Sequence, residues 1–379
     1  MLRFLTSGES HGRGLLVVLE GIPAGLPLSE EDITVQLARR QRGYGRGGRM
    51  QIEQDRAEIY AGVMNGTTIG APVGLHIGNK DWRKTEPPLT RPRPGHADLA
   101  GALKYHFDDV RRVLERSSAR ETVARVAAGA ICRALLAQFG ITLASHVVEL
   151  GGIAIGRRPD RYEDIPALAE ASPLRCVDPE AQTRMIAAID KAREAGDTLG
   201  GVFEVVALGL PVGLGTYVHW DRRLDGRLAQ ALMSINAIKG VEIGEGFQEA
   251  RLPGSSAHDE IFYDPERGFH RATNRAGGTE GGMSTGDPLV ARVAMKPLST
   301  LRSPLASVDI VTKERVEAAV VRSDVTAVPS AGVIGEAMVA FVLADAMIEK
   351  FGGDSLDQMR VAYDAHQRWA RRGPPAPAG

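Results

Sequence analysis

Arg116-Ser117-Ser118-Ala119-Arg120-Glu121-Thr122 puts two guanidinium groups and three hydroxyls into seven residues. Apolar residues then recur at helical spacing (Val126, Ala127, Ala130, Ile131, Ala134, Leu135). Arg120-Glu121-Thr122 is therefore expected to open a long helix that stops near Gly140. A helix N-terminus offers unpaired N–H groups and a partial positive charge, so arginines beside it make a site for an anion. By itself the segment reads more readily as a capped helix with a solvated basic end. Two other segments share its chemistry. Arg322-Ser323-Asp324 stands just before a predicted helix from Ala331 to Phe351, and Gly8-Glu9-Ser10-His11-Gly12 forms a glycine-rich bend. The latter spells G-x-S-x-G, but a nucleophile elbow needs a strand before its serine and a helix after it. Leu15 to Leu19 is a short apolar run ended by Gly21 and Pro23, which reads as a strand, so His11 is the more telling residue of the bend. A fourth segment, Arg42 to Arg49, is basic and glycine-rich. It suits a phosphate cradle or an RNA-binding segment, and it lacks the order of a Walker A loop.

These residues need a scaffold. Ser29-Glu30-Glu31-Asp32 is a capping box that leads a helix with Ile33 and Leu37 on one face. Leu224, Leu228, Leu232 and Ile235 predict a helix from about Asp221 to Ile238. Strands are expected over Met50–Val63, Ile69–Ile77, Thr142–Glu149, Gly201–Leu210 and Asp287–Lys296. Strands and helices do not alternate strictly, which favours α+β over a doubly wound parallel sheet. No Gly/Ser- or Pro-rich linker divides residues 1–360, predicting one domain, and residues 361–379 read as a partly disordered tail.

Read in order, the motifs resemble the chorismate synthase family. The resemblance rests on Gly8 to Gly25, Arg39 to Arg49, Arg93-Pro94-Gly95-His96-Ala97-Asp98 and Arg116 to Ala130. It continues through Ile235 to Gly240, Gly281 to Gly286, Met295-Lys296-Pro297 and Arg322 to Met338. It implies helices packed between two antiparallel sheets, four copies per assembly, and the conversion of 5-enolpyruvylshikimate 3-phosphate to chorismate with reduced FMN. His11 is then implied as the acid for the departing phosphate, His96 as the group at the flavin N1–C2=O edge, and Asp324 as the partner of flavin N5. Cofactor contacts are implied for Arg116, Ser117, Ser118, Asn236, Ala237, Gly281, Lys296, Pro297, Leu298, Ser299, Thr300 and Arg322. Arg40, Arg46, Arg49, Arg120 and Arg125 are implied for the phosphate of the substrate or of NADP. The segment Asp81 to Arg91 is shorter than in many relatives, so the cover over the site is expected to differ. A flavin oxidoreductase, or an enzyme that also reduces its own flavin with NADPH, is the rival. No G-x-G-x-x-G after a strand supports either.

Composition restricts the remaining classes. A formal net charge of −1 and 5% aromatic residues argue against a nucleic-acid or membrane-surface protein. Of 46 Lys plus Arg, only 8 are lysine, and arginine forks match phosphate and carboxylate oxygens. Cys132 and Cys176 show no metal spacing, which predicts a reducing, cytoplasmic setting and no metal site. No apolar stretch is expected to reach bilayer length.

Overall fold

The computed structural model describes residues 1–46, 55–80, 82, 87–266, 268–321 and 324–373. Arg49, Arg322, residues 81 and 83–86 of the segment expected to be short, the first residues of the expected Met50–Val63 strand and residues 374–379 lie outside them.

The expected α+β sandwich is present. One layer is an antiparallel sheet of β1 (Arg3–Gly8), β2 (Gly14–Glu20), β3 (Ala57–Ala61) and β4 (Val73–Gly78), in the order β1-β2-β4-β3. The other contains β5 (Thr142–Leu150), β6 (Ile153–Ala154), β7 (Gly201–Leu208), β8 (Ile238–Ile243) and β9 (Leu289–Met295), in the order β8-β9-β7-β5-β6 and again antiparallel. The helices are α1 (Glu30–Gln41), α2 (Asp98–Tyr105), α3 (Arg111–Ser117), α4 (Thr122–Ala137), α5 (Ile165–Ala171), α6 (Pro179–Ala195), α7 (Leu224–Met233), α8 (Val328–Phe351) and α9 (Leu356–Arg372). Between the sheets lie α1, α4 and α8: α4 packs on α8 and β2, and α8 packs on β5 and β7. Leu15, Val17 and Leu19 turn inward from β2 while Leu16 and Val18 stay exposed, the period-two signature of a half-buried strand. On the opposite sheet Leu143, Val147, Phe203, Val205, Ala291 and Val293 complete the same core.

The structure corrects several sequence expectations. The expected helix Asp221–Ile238 is only Leu224–Met233. A 3₁₀ turn at Trp220–Arg222 precedes it, and the chain beyond Met233 bends into a left-handed Ala237 (φ +66°). The Ile69–Ile77 strand starts at Val73, after Gly70 (φ +78°) and Pro72. The tail boundary at 360 falls inside α9, whose Ser355–Gln358 capping box starts a helix that runs to Arg372. Among the described residues, one helix is long and apolar enough to cross a membrane: α8, 24 residues with a peak mean hydropathy of 1.8. Glu336 and Asp345 interrupt it, so the sequence holds no unbroken apolar run of that length. That window is 83% buried within the protein, so apolar residues occupy nearly every face of α8 rather than one stripe.

Candidate active site

A tight bend carries His11. β1 and β2 pair from Arg3↔Glu20 to Gly8↔Leu15, so the bend between them projects from the sheet edge. It is docked on α3: Ser10 N–H donates to Glu115 O (2.9 Å) and His11 N–H to Glu115 Oε2 (2.8 Å). His11 Nδ1 lies 3.2 Å from Glu115 Oε1. Burial acts to raise the Glu115 carboxyl. Its hydrogen bonds to the His11 ring and backbone, with Arg111 nearby, outweigh that and hold it below the usual range. Sequence reasoning missed Glu115, because it is one glutamate among many on an unremarkable helix and only the fold brings it to His11.

From α3 the candidates are joined by a continuous run of hydrogen bonds. Arg116 does not face the N-terminus of α4. It sits in the last turn of α3 and donates to Gly8 O (2.9 Å) and Thr6 Oγ1 (3.0 Å), pinning that helix to β1. Ser117 Oγ donates to Val113 O, and Ser118 Oγ accepts from Arg120 N–H at the start of a 3₁₀ turn that precedes α4. Asn236 Nδ2 donates to Ser117 O (3.0 Å), and the neighbouring Ala237 O accepts from Lys296 N–H (3.0 Å). Lys296 Nζ and Ser299 Oγ both donate to Gly95 O, beside His96. Pro297 follows Lys296, Leu298 O accepts from Thr198 Oγ1 (2.8 Å), and Thr300 Oγ1 accepts from Arg93 (3.0 Å). Leu199 N–H then reaches Val325 O, next to Asp324.

The arginines are arranged around carboxylates. Arg120 pairs with Asp55 (3.0 Å), and Arg40 lies 3.9 Å from the same carboxylate. Arg40 is largely committed to structure, since its Nε donates to Thr122 Oγ1 and its Nη2 to Ala119 O at the head of α4. Arg46 pairs with Asp324 (3.1 Å), while Arg125 pairs with Glu121 (2.9 Å) and donates to Ser234 Oγ (2.8 Å). Asp55 was another miss, a lone aspartate with no motif around it. Burial, and the Lys239 ammonium close by, push Lys296 below the ordinary lysine range.

Gly281 is set apart. Gly282 O accepts from Leu224 N–H at the first residue of α7, whereas Asn236 lies just beyond that helix's other end. Ten residues of helix span about 15 Å. Gly281 instead lines a separate cavity of about 470 Å³ with Arg223, Asp225, His258, Asp259 and Glu280.

The matches to known proteins follow the same residues. The family model for chorismate synthase matches residues 2–348. The chain belongs to the chorismate synthase family. A chorismate synthase from Moorella thermoacetica is 57% identical, with 97% of this chain and 99% of that protein aligned. One from Geobacter metallireducens is 56% identical over 98% and 100% of the two chains. A crystal structure of a chorismate synthase superimposes with a TM-score of 0.83 at 45% identity, covering 98% of this chain and 99% of the other. Relatives of this name are lyases acting on small molecules, and at this identity and coverage the present chain is an enzyme of that kind.

A flavin is the group the family implies, and the residues present fit it. Among the described residues, Ser10 Oγ, beside His11, and Asn236 Oδ1, midway along the bonded run, are buried polar atoms with no protein partner. Buried oxygens of this kind normally have a partner, which a polar ligand would supply. Arg116 and Ser117 on one side of Asn236, and Lys296 and Ser299 on the other, are donors suited to a phosphate and to ring carbonyls.

Proposed function

We propose that this enzyme eliminates phosphate from 5-enolpyruvylshikimate 3-phosphate in the 1,4-anti sense, giving chorismate, and depends on reduced FMN without net redox change. This is the last step of the shikimate route to aromatic amino acids. The observation that carries the reading is the bonded run from His11 through Glu115, Ser117, Asn236 and Lys296 to His96, flanked by Arg46, Arg120 and Arg125.

The substrate bears two carboxylates and a phosphate, so its site must supply cations at several points. Arg40, Arg46, Arg120 and Arg125 serve the anionic groups. Arg120 and Arg46 exchange part of their contact with Asp55 and Asp324 for the ligand, and Arg40 acts mainly by holding the Ala119–Thr122 turn in place. Arg116, Ser117, Ser118, Asn236, Ala237 and the Lys296–Thr300 segment hold FMN. The unpartnered Asn236 Oδ1 would be free to accept from it, beside the left-handed turn at Ala237. The chemistry that reduced FMN would supply when held there is transient electron density for the C–O cleavage. His11, with Nδ1 against Glu115, presents Nε2 to the departing phosphate as a general acid. Asp324, oriented by Arg46, assists removal of the ring hydrogen, and His96 would contact the cofactor.

Reduction of the flavin falls to an external reductase or another electron source, because no dinucleotide fingerprint occurs in the chain. Two free, buried cysteines agree with a cytoplasmic setting. In an anaerobic assay with dithionite-reduced FMN, chorismate forms without NADPH. Oxidation of one NADPH per turnover would overturn the redox-neutral reading. We infer a homotetramer as well, for which light scattering gives about four masses of the 40.6 kDa chain. A stable, fully active monomer refutes it.

A further inference from the structure

His96 and its neighbours hold more organisation than a cofactor contact needs. The Asp98 carboxylate is completely buried and accepts from Arg93 three times: from its backbone N–H (3.0 Å), its Nε (2.8 Å) and its Nη2 (3.0 Å). Its remaining capacity goes to His96, whose Nδ1 lies 2.5 Å from Asp98 Oδ1. Arg93, itself 6% exposed, spends its last nitrogen on Thr300 Oγ1 (3.0 Å). Gly95 O is meanwhile clamped by Lys296 and Ser299. A fully buried ion pair is at best a weak source of stability, since the desolvation of both charges offsets their attraction. The arrangement therefore calls for another explanation.

We propose that Asp98, locked by Arg93, is the positioning residue that fixes the tautomer and ring orientation of His96. This rests on the reading of His96 as a site residue given above. An imidazole nitrogen 2.5 Å from a carboxylate oxygen is held there by a proton between them, so Nδ1 carries that proton. Arg93 Nη2 also lies 3.1 Å from Nδ1 and 3.4 Å from Nε2. A guanidinium cannot donate to a nitrogen that already bears hydrogen, and its proton goes to Asp98 Oδ1. Nε2 is then the nitrogen that meets the ligand, and 19% exposure of the side chain leaves the ring reachable. Arg93 in turn keeps Asp98 from rotating, because both carboxylate oxygens are already engaged. The logic is that of a carboxylate behind a catalytic imidazole, where the acid orients the ring and selects the tautomer without itself gaining the proton.

The decisive measurement is ¹⁵N NMR of the histidine-labelled FMN-free enzyme at neutral pH, with His96 assigned by comparison with His96→Ala. A protonated Nδ1 is expected. An unprotonated Nδ1 overturns the proposal whatever reaction the enzyme catalyses, so the test fails separately from the functional reading. The second arm is Asp98→Asn, which offers an amide donor where the ring must donate. In folded variant, kcat for chorismate formation from pre-reduced FMN should fall on the order of 10²-fold or more while KM changes little, and the His96 signal should switch to Nε2–H. In serine proteases the equivalent change costs about 10⁴-fold, which sets the upper end. A folded variant with kcat within about threefold of wild type overturns the proposal. If the variant does not fold, the wild-type spectrum decides.

Discussion

Glu336 provides the sharpest test of how the helical layer holds the site together. It lies on α8 at 3% side-chain exposure, and three guanidinium groups from different elements converge on it. Arg39 of α1 reaches it bidentately (2.7 and 2.9 Å), Arg133 of α4 at 2.7 Å and Arg175 at 3.0 Å, while Ser145 Oγ of β5 donates at 2.7 Å. Glu170 accepts from both Arg39 and Arg175, so two carboxylates face three cations. Burial alone would raise the Glu336 carboxyl, but the arginines outweigh it and lower it from 4.5 to about 2. At about 1.36 kcal/mol per unit that depression is worth about 3 kcal/mol of folding stability. Glu336→Gln removes the charge and leaves Glu170 alone of these two carboxylates against the three arginines, and breaking a buried pair typically costs about 3–5 kcal/mol. The expectation is therefore a loss of about 3 kcal/mol at pH 7, read from urea unfolding with m unchanged. The sign of the pH dependence follows from the direction of the shift. A carboxyl lowered in the folded state stabilises above its unfolded pKa and loses that contribution as pH falls through the folded value. The gap between wild type and Glu336→Gln should thus be full above about pH 5 and shrink between 4.5 and about 2. A loss under about 1 kcal/mol, or a gap that stays constant across that window, refutes the reasoning.

Two other perturbations separate packing from chemistry. His11→Ala should leave folding and FMN binding intact while turnover falls by about 10²- to 10⁴-fold, the usual worth of a general acid; turnover within a few-fold of wild type would remove His11 from that role. Gly129 of α4 faces α8 so closely that an added Cβ would meet Ala337 Cβ at 2.4 Å and its Cα at 2.6 Å. Gly129→Ala should therefore lower stability by about 1–3 kcal/mol despite its better helix propensity, and an unchanged urea midpoint would show that the two helices can separate without penalty.

How much of this was legible in the sequence depends on which physical signal each part leaves there. Strand β2 was readable because Leu15 to Leu19 are bounded by glycine and proline, and α1 because Ser29 and Asp32 cap each other reciprocally. The α8 helix was legible as a helix, but Glu336 and Asp345 break its apolar residues, so no continuous run of bilayer length stood out. Among site residues, those within motifs were found, and their partners were not. Glu115 and Asp55 have no local pattern, and Glu336, though inside the Arg322 to Met338 block, was given no role there; each acquires its meaning from a residue far along the chain: His11, Arg120 and Arg39 respectively. Arg40 shows the converse. Its motif marked it as an anion ligand, yet its Nε and Nη2 donate to Thr122 and Ala119. Arginine type and spacing announce that a fork is available, but only the fold says how many of its donors are already taken. That distinction matters for mechanism, because a cation whose donors are committed to backbone can shape a pocket and add to its field without grasping the substrate. Replacing Arg40 should then act first through the turn at Ala119–Thr122, and replacing Arg120 or Arg46 through the ligand they share with Asp55 and Asp324.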